Sequence, residues 1–322
     1  MSNTIMSEFE GHHLVESYGD VAFEFRAVRE AAGLVDRSHR TRLELTGSDR
    51  TSFLQRLVSN DLESLGEGDG IHAALLQPKG RLMANLVILH RGESYLLDVP
   101  AAVGEAVFKK LDMYTLSSDV VVADVTGNTA CLGLHGPSAA GVLKGSGIGA
   151  YPFPVDYLGE DGIDLHLPRD EAEAARQALI EAGAEPVGWR AAEALRIDAG
   201  IARFGSELDE KLLLPEVPAL AGKSISYTKG CFVGQETIAR IKNYGHVNRE
   251  LRRLELQGDD LPEPGAVLTV EEKRAGTVTS ACRHPITGKP LVLAFVKRKY
   301  LEPGSAVQVA VGDATVLAEV LE

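Results

Sequence analysis

The sequence predicts an α+β fold of two or three domains that ends in a small β-barrel or sandwich. Three observations support this class. The 322 residues exceed what one hydrophobic core usually organises. Up to about residue 250, helix signals and strand signals occur in mixed order, which is typical of an α+β layer. From Leu251 onward the pattern changes to short β runs separated by turns such as P-E-P-G and I-T-G-K-P.

The first 125 residues alternate helices with strands. Asp20 is a capping residue and Gly33 a terminator, so we expect a helix between them. Ser48 caps a second predicted helix that ends near Val58. Pro100 begins a third, in which valine and leucine recur every four positions. Turn signals separate the predicted strands of this region, which are Arg42–Gly47, His72–Gln77, Ala84–His90, Ser94–Val99 and Val120–Val125.

Residues 130–199 continue the mixed pattern. A strand-like run begins at Ala130, and a second, Ile163–Pro168, leads into a helix. The spacing of Asp170 and Glu173 fits a capping box for that helix, which Gly183 ends. A further helix is expected from about residue 189 to 199.

Composition limits the classes of function. There are 33 Lys and Arg against 46 Asp and Glu, for a formal net charge of −13, which argues against direct nucleic-acid binding. The three cysteines lie far apart, so we expect no disulfide framework, no bound metal and a reducing, cytoplasmic setting. The acidic first ten residues do not read as a signal peptide, and we expect no membrane association.

The most informative motif is the octapeptide K-G-C-F-V-G-Q-E, at residues 229–236. It places Cys231 two residues after Lys229 and just before a predicted helix start. A cation and a helix N-terminus both lower the pKa of a thiol, so Cys231 is the candidate catalytic residue. The same geometry suits an anion. A buried, structural cysteine is the alternative, since free cysteine is among the most buried residue types.

Four segments resemble the YgfZ-type folate-binding proteins, relatives of the glycine-cleavage T-protein (aminomethyltransferase). They are A-G-L-V-D-R-S (Ala32 to Ser38), Y-L-G-E-D-G-I-D-L (Tyr157 to Leu165), L-R-I-D-A-G-I-A-R-F-G (Leu195 to Gly205) and the octapeptide. The resemblance implies a three-domain, cloverleaf-like ring around a hole that admits tetrahydrofolate. It also implies a role in iron–sulfur cluster assembly or repair, with a link to tRNA modification.

The domain limits follow from the resemblance and the element pattern together. A discontinuous folate-binding α+β domain is expected at residues 1–50 with 128–248. A second α+β domain is expected at 51–127, and the C-terminal barrel at 249–322.

The resemblance also carries over folate-binding roles. Asp164 matches the carboxylate that binds the pterin edge, where it would accept two parallel N–H bonds. Lys229 matches the lysine expected to hold the folate tail. The other expected cofactor-binding residues are Tyr157, Arg196, His72, Arg240 and Asn85. Each has a structural alternative, such as an ion pair for Arg196 or a core position for His72.

One departure bears on chemistry. The T-protein pattern has an aspartate pair in G-G-x-x-D-D-L, and here the aligned stretch is G-R-L-M-A-N-L, with Ala84 and Asn85 at those positions. An amide cannot serve as a general base or stabilise a developing cation as a carboxylate does, but it still hydrogen-bonds. The sequence therefore favours a tetrahydrofolate-binding accessory protein whose partners are iron–sulfur proteins. A folate-dependent aminomethyltransferase, or another one-carbon transferase acting on a small amine, is the alternative. A nucleic-acid-binding barrel is a weaker third.

The role of Cys231 stays open at this point: a redox-active thiol, a transient ligand for iron or sulfur, or the pivot of the loop. The sequence offers no second thiol nearby to resolve a sulfenic acid or to complete a metal site.

Overall fold

A computed structural model describes residues 5–9, 12–150 and 152–321. The strands are β1 (Ile5–Phe9), β2 (His12–Ser17), β3 (Gly33–Asp36), β4 (Thr41–Thr46), β5 (Gly70–Leu76), β6 (Leu82–Arg91), β7 (Ser94–Val99), β8 (Val121–Asp124), β9 (Thr129–His135), β10 (Pro152–Val155), β11 (Gly162–Pro168), β12 (Glu185–Pro186), β13 (Arg249–Leu256), β14 (Val267–Val270), β15 (Lys273–Arg283), β16 (Pro290–Lys297), β17 (Ala306–Val311) and β18 (Ala314–Val320). The α-helices are α1 (Val21–Glu30), α2 (Arg50–Leu57), α3 (Gly104–Tyr114), α4 (Ala139–Ser146), α5 (Ala172–Glu181), α6 (Trp189–Asp198), α7 (Pro218–Ser224) and α8 (Gln235–Tyr244).

The first five-stranded sheet has the order β10-β11-β9-β3-β12. Its neighbours are antiparallel except β12, which pairs with β3 in parallel. One face packs against α4 and α5 through leucines of β3, β9 and β11. Buried side chains of α1 and α6 form a separate apolar cluster together with Leu158 and Val187. Two inner strands of this first sheet, β11 and β9, carry Asp164 and Cys131. Buried polar groups therefore lie within the sheet.

The second five-stranded sheet has the order β5-β6-β7-β4-β8 and is antiparallel throughout. Its core includes Leu43 and Leu45 of β4 together with Val107 and Leu111 of α3, all fully buried. β4 belongs to this sheet although it precedes residue 50, where the sequence places the domain boundary. The domain limits themselves stay a prediction.

The C-terminal segment forms a closed barrel of six strands in the order β13-β16-β15-β14-β17-β18, with β18 returning to β13. Inward-facing residues such as Leu254, Val278 and Val309 fill its interior. Closure leaves no unpaired sheet edge. The α+β class with a small C-terminal barrel is therefore confirmed, and of the two β architectures that the sequence allowed, the barrel is the one that forms.

Several predicted local signals hold and others fail. The side chain of Asp20 accepts hydrogen bonds from the backbone N–H groups of residues 22 and 23, which confirms that cap. The Ser48 cap is wrong, because its hydroxyl donates instead to Asp119, 2.7 Å away, and α2 begins at Arg50. The capping box at Asp170 is also wrong, because a short 3-10 turn at Arg169–Glu171 precedes α5.

Among the described residues, no helix is both long enough and apolar enough to cross a lipid bilayer.

Candidate functional site

A cavity of about 690 Å³ lies where the first sheet, the second sheet and α6 and α7 meet. We call it the chamber. Its walls combine apolar side chains with polar ones from β2, β3, β5, β6, α6 and the loops after β3 and β10. Its volume is in the range of sites that enclose small organic molecules. Of the sequence-predicted residues, four line it: His72, Asn85, Tyr157 and Arg196.

A buried ion cluster backs one wall of the chamber. The guanidinium of Arg37, which lines the chamber, pairs with Asp164 and with Asp98, whose Oδ2 is 3.1 Å from Nη2. The same guanidinium lies over the ring of Tyr157, 3.8 Å from its centroid. Tyr157 in turn donates its hydroxyl to Asp164 Oδ1 at 3.0 Å. This packing needs a glycine at residue 133, because a Cβ there would collide with the tyrosine hydroxyl.

Asp164 therefore lies behind the wall rather than on it. It is 2% exposed, and both of its oxygens are engaged by Arg37 and Tyr157. The prediction that it grips a pterin edge directly has no chamber contact to support it. What the geometry gives Asp164 is the orientation of Arg37 and Tyr157, which do face the chamber.

The pKa values of the two carboxyl groups in this cluster shift in opposite directions, one because of burial and the other because of neighbouring charges. Burial raises the pKa of Asp164 to about 6, because desolvation outweighs the attraction of Arg37, and the nearby Asp98 adds repulsion. Asp98 is also buried, but Arg40 and Arg37 together hold its pKa well below the ordinary value. Asp98 is thus ionised throughout the physiological pH range, whereas Asp164 titrates near the lower end of that range.

His72 and Asn85 lie side by side on the chamber face of the second sheet. The β5–β6 register pairs His72 with Val87 and Ala74 with Asn85, which puts the two polar side chains on one face. The side-chain oxygen of Asn85 is buried and has no hydrogen-bond partner among the described residues. Such an oxygen is costly to bury unless a ligand or solvent donates to it.

The imidazole of His72 is neutral at physiological pH. Burial lowers the pKa of His72, and the Asp156 carboxylate, 3.8 Å from Nε2, only partly opposes that shift. The ring therefore presents a nitrogen that can accept a proton.

Arg196 also borders the chamber, but its guanidinium is already paired with other side chains of the protein. It pairs with Glu193 and with Glu207, whose Oε2 is 3.0 Å from Nη1, and donates to Ser280 of the barrel at 2.8 Å. The ion-pair alternative for Arg196, with Asp198 or Glu193 as the expected partner, forms with Glu193 and adds Glu207, whereas Asp198 pairs with Arg29. The network ties α6 to the barrel.

Lys229 lies outside the chamber wall. Its ammonium donates to the backbone carbonyls of Gln55, Val58 and Asn60 at 2.6, 2.7 and 2.7 Å. The residue is 8% exposed, and burial lowers its pKa to about 8. Three carbonyls use all three ammonium protons. This gives Lys229 a structural role at the end of α2, and the folate-tail assignment is left without a contact.

Gly234 sits at the start of α8 in the left-handed conformation, with φ of 81°. A Cβ there would lie 2.7 Å from the carbonyl oxygen of Gln77, so the octapeptide packs tightly on the β5–β6 turn. Phe232 is buried, whereas the thiol-bearing Cys231 is exposed. The buried structural alternative for Cys231 is therefore wrong. Neither Cys231 nor the exposed Arg240 borders the chamber.

The sequence reasoning missed several chamber residues, among them Arg37, Asp156, Arg203 and Trp189. One usable signal existed, because Arg37 lies within the A-G-L-V-D-R-S segment that carries the resemblance. Asp156 precedes the Y-L-G-E-D-G motif by one residue, and nothing local distinguishes it from a surface aspartate.

Three buried side chains behind the chamber offer metal-ligand atoms within 4.8 Å of one another: Cys131, Asp164 and His166. They do not suit a cation. Asp164 is already paired with the guanidinium of Arg37, and burial raises the pKa of Cys131, which disfavours the thiolate that metals bind.

The fold and the chamber together define a class: an α+β protein with a cavity of ligand size between two sheets and a C-terminal barrel. Residues 2–148 match the GCVT N-terminal domain, and residues 249–322 match the glycine cleavage T-protein C-terminal barrel domain. The chain belongs to the glycine-cleavage T-protein (aminomethyltransferase) family. Tetrahydrofolate is the cofactor of that family, as the sequence predicted.

Individual relatives agree with this assignment. The chain is 34% identical to an aminomethyltransferase of Rubrobacter xylanophilus over 311 residues, covering 90% of this chain and 82% of that one. It is 30% identical to an aminomethyltransferase of Herpetosiphon aurantiacus over 338 residues, covering 98% and 93%. The aminomethyltransferase T of Bartonella henselae shares the fold, with a TM-score of 0.90 at 24% identity over 100% of this chain and 94% of that one.

Proposed function

We propose that the protein binds tetrahydrofolate in the chamber and takes part in one-carbon transfer between the folate and a small amine. The observation that carries the proposal is the buried, unpartnered side-chain oxygen of Asn85 on the chamber wall. A folate supplies N–H donors on a flat ring that suit such an oxygen. The relatives named aminomethyltransferase favour this reading over the accessory role that the sequence alone placed first.

The chamber's own groups fit a folate. Asn85 accepts an N–H from the ring, and Tyr157 offers an aromatic edge held in place by Asp164. Arg37 presents a guanidinium whose orientation is fixed by two buried carboxylates. Bound tetrahydrofolate supplies the nitrogens that carry the one-carbon unit. The chain supplies the enclosure that excludes water and the neutral imidazole of His72, which can accept a proton.

A binding titration tests the first half of this proposal. Trp189 is the only tryptophan of the chain and lines the chamber, so tetrahydrofolate should change its fluorescence on binding. Asn85→Leu keeps the size but removes the amide, and we expect it to weaken binding at least tenfold. Lys144→Met, an exposed lysine on α4, is the matched control. Wild-type protein that shows no saturable change with any reduced folate would refute the proposal.

An activity assay tests the second half. The protein is incubated with tetrahydrofolate and a panel of aminomethyl donors, whose transferred carbon is already at the oxidation level of formaldehyde, and methylene-tetrahydrofolate and released ammonia are measured. Sustained turnover supports a transferase. Binding without turnover would instead support the accessory role described next.

A second candidate is a YgfZ-type accessory protein for iron–sulfur cluster assembly or repair, with iron–sulfur proteins as partners and a cytoplasmic setting. Two observations favour it. Asn85 stands where the T-protein pattern has a carboxylate, and Cys231 is the exposed side chain of a tightly packed loop. The test is rescue of iron–sulfur enzyme activity in cells that lack the protein. Rescue by wild type together with failure by Cys231→Ala supports it, whereas equal rescue by both removes the role of the thiol.

A further inference from the structure

A second cavity of about 1070 Å³ adjoins the chamber. Six residues border both cavities: Asp156, Gly200, Ile201, Val217, Ala219 and Lys223. We call this shared boundary the neck. Residues of β13 in the barrel, including Arg252 and Arg253, line the second cavity but not the chamber. A small molecule in the second cavity would therefore meet the chamber at the neck.

Only two of the six neck residues, Asp156 and Lys223, carry ionisable side chains. Their carboxylate and ammonium form an ion pair. Both side chains stay accessible, at 39% and 47% exposure, and exposed ion pairs of this kind are weak and exchangeable. Lys223 carries a primary ammonium, so the pair shows that the Asp156 carboxylate can accept an alkylammonium at the neck.

The chamber's other carboxylates are less available. Glu193 is held by Arg196 and Arg203. Asp36 is exposed and accepts the backbone N–H of Ser38 at 2.8 Å. Asp156 alone among these three also borders the second cavity. Its other oxygen lies 3.8 Å from Nε2 of His72, so an ammonium bound there would also lie near a neutral imidazole that can accept a hydrogen bond.

The neck is braced by Asn60. Its side-chain amide donates to the backbone carbonyls of His72 and Lys223, both at 2.8 Å, and so joins β5 to the end of α7. The backbone carbonyl of Asn60 in turn accepts from the ammonium of Lys229. The octapeptide thereby supports the neck from behind, through two hydrogen bonds in series.

We propose that Asp156 is the seat for the ammonium group of a small alkylamine, which enters through the second cavity and displaces the ammonium of Lys223. The inference rests on the proposed function in that it names the amine's site next to the folate chamber. Asp156 would supply, at a different position, the carboxylate that residue 85 lacks. His72, whose Nε2 lies 3.8 Å from the other oxygen of Asp156, can accept a hydrogen bond from the bound ammonium.

The test measures binding of methylammonium to the full-length protein by saturation-transfer NMR, with acetamide as the uncharged control ligand. Asp156→Asn should weaken methylammonium binding at least tenfold, whereas Lys223→Met should tighten it about threefold or more by removing the internal competitor. If the ion pair were only structural, replacing either partner would not change methylammonium affinity in opposite directions. Glu105→Gln, which breaks an exposed ion pair on α3, should change nothing.

Thermal unfolding of each variant establishes that it is folded, and a tetrahydrofolate titration of each separates the two sites. In Asp156→Asn, a loss of methylammonium affinity at least fivefold larger than any loss of tetrahydrofolate affinity supports a separate amine seat. Equal weakening of folate and amine binding would make Asp156 part of the folate site and overturn the inference, as would methylammonium binding that neither variant changes. The amine titration is run without folate, so a protein that fails to bind tetrahydrofolate refutes the proposed function independently.

Discussion

Replacing Lys229 with methionine removes the ammonium of the octapeptide while keeping most of its side-chain volume. Three carbonyl oxygens, of Gln55, Val58 and Asn60, lose their donor. That bond to Val58 is buried, whereas the other two are partly buried and can recruit water. One unsatisfied buried acceptor costs about 1–3 kcal/mol, and each rehydrated one about 0.5–1 kcal/mol. The expected loss in the free energy of unfolding is about 2–5 kcal/mol.

Urea denaturation followed by the fluorescence of Trp189 measures that loss, and Lys144→Met is the exposed-lysine control. Because Lys229 has no chamber contact, tetrahydrofolate affinity of the folded variant should stay within twofold of wild type at low temperature. The structural reasoning fails if stability falls by less than about 1 kcal/mol, well below the loss expected from the lost bonds. It also fails if folate affinity drops tenfold while unfolding is unchanged, since Lys229 would then hold the folate tail.

Three further predictions concern the chamber. Asn85→Asp restores a carboxylate at the position where the T-protein pattern has one, and should raise methylene-tetrahydrofolate formation at least tenfold; unchanged turnover would contradict this. Since the pKa of Asp164 is about 6, wild-type tetrahydrofolate affinity should tighten as pH rises through 6 while Arg37 gains its ionised partner, and Asp164→Asn should show a flat profile. Burial, with Arg37 adding repulsion, lowers the pKa of His135 to about 3. The unfolded chain therefore binds one more proton than the folded chain below pH 6.5, so the free energy of unfolding decreases as the pH is lowered from 6.5 to 4. His135→Gln should flatten that slope by about 1.4 kcal/mol per pH unit, measured by urea titrations between pH 6.5 and 4, and an unaltered slope would exclude this role.

Features encoded by neighbouring residues were readable from the sequence. The Asp20 cap, the helix start just after Cys231 and the short strands of the barrel depend on backbone preferences within a few positions. The family resemblance added that residues such as Asn85 and Tyr157 share one cavity. The capping prediction at Ser48 failed because its hydroxyl donates to Asp119, 71 residues away. The one at Asp170 failed because residues Arg169–Glu171 form a 3-10 turn before α5.

The roles of individual charged side chains were decided only by the tertiary structure. Lys229 and the carbonyl of Gln55 are 174 residues apart in the chain, and Arg37 and Asp164 are 127 apart. No local pattern states which of many carboxylates or carbonyls a given cation will meet, because that depends on how the sheets and loops are brought together. The sequence by itself indicated many of the helices and strands, the barrel and four residues of the chamber wall. Packing decided which charges face the chamber, which lie buried behind it, and that Asp156 and Lys223 meet at its neck.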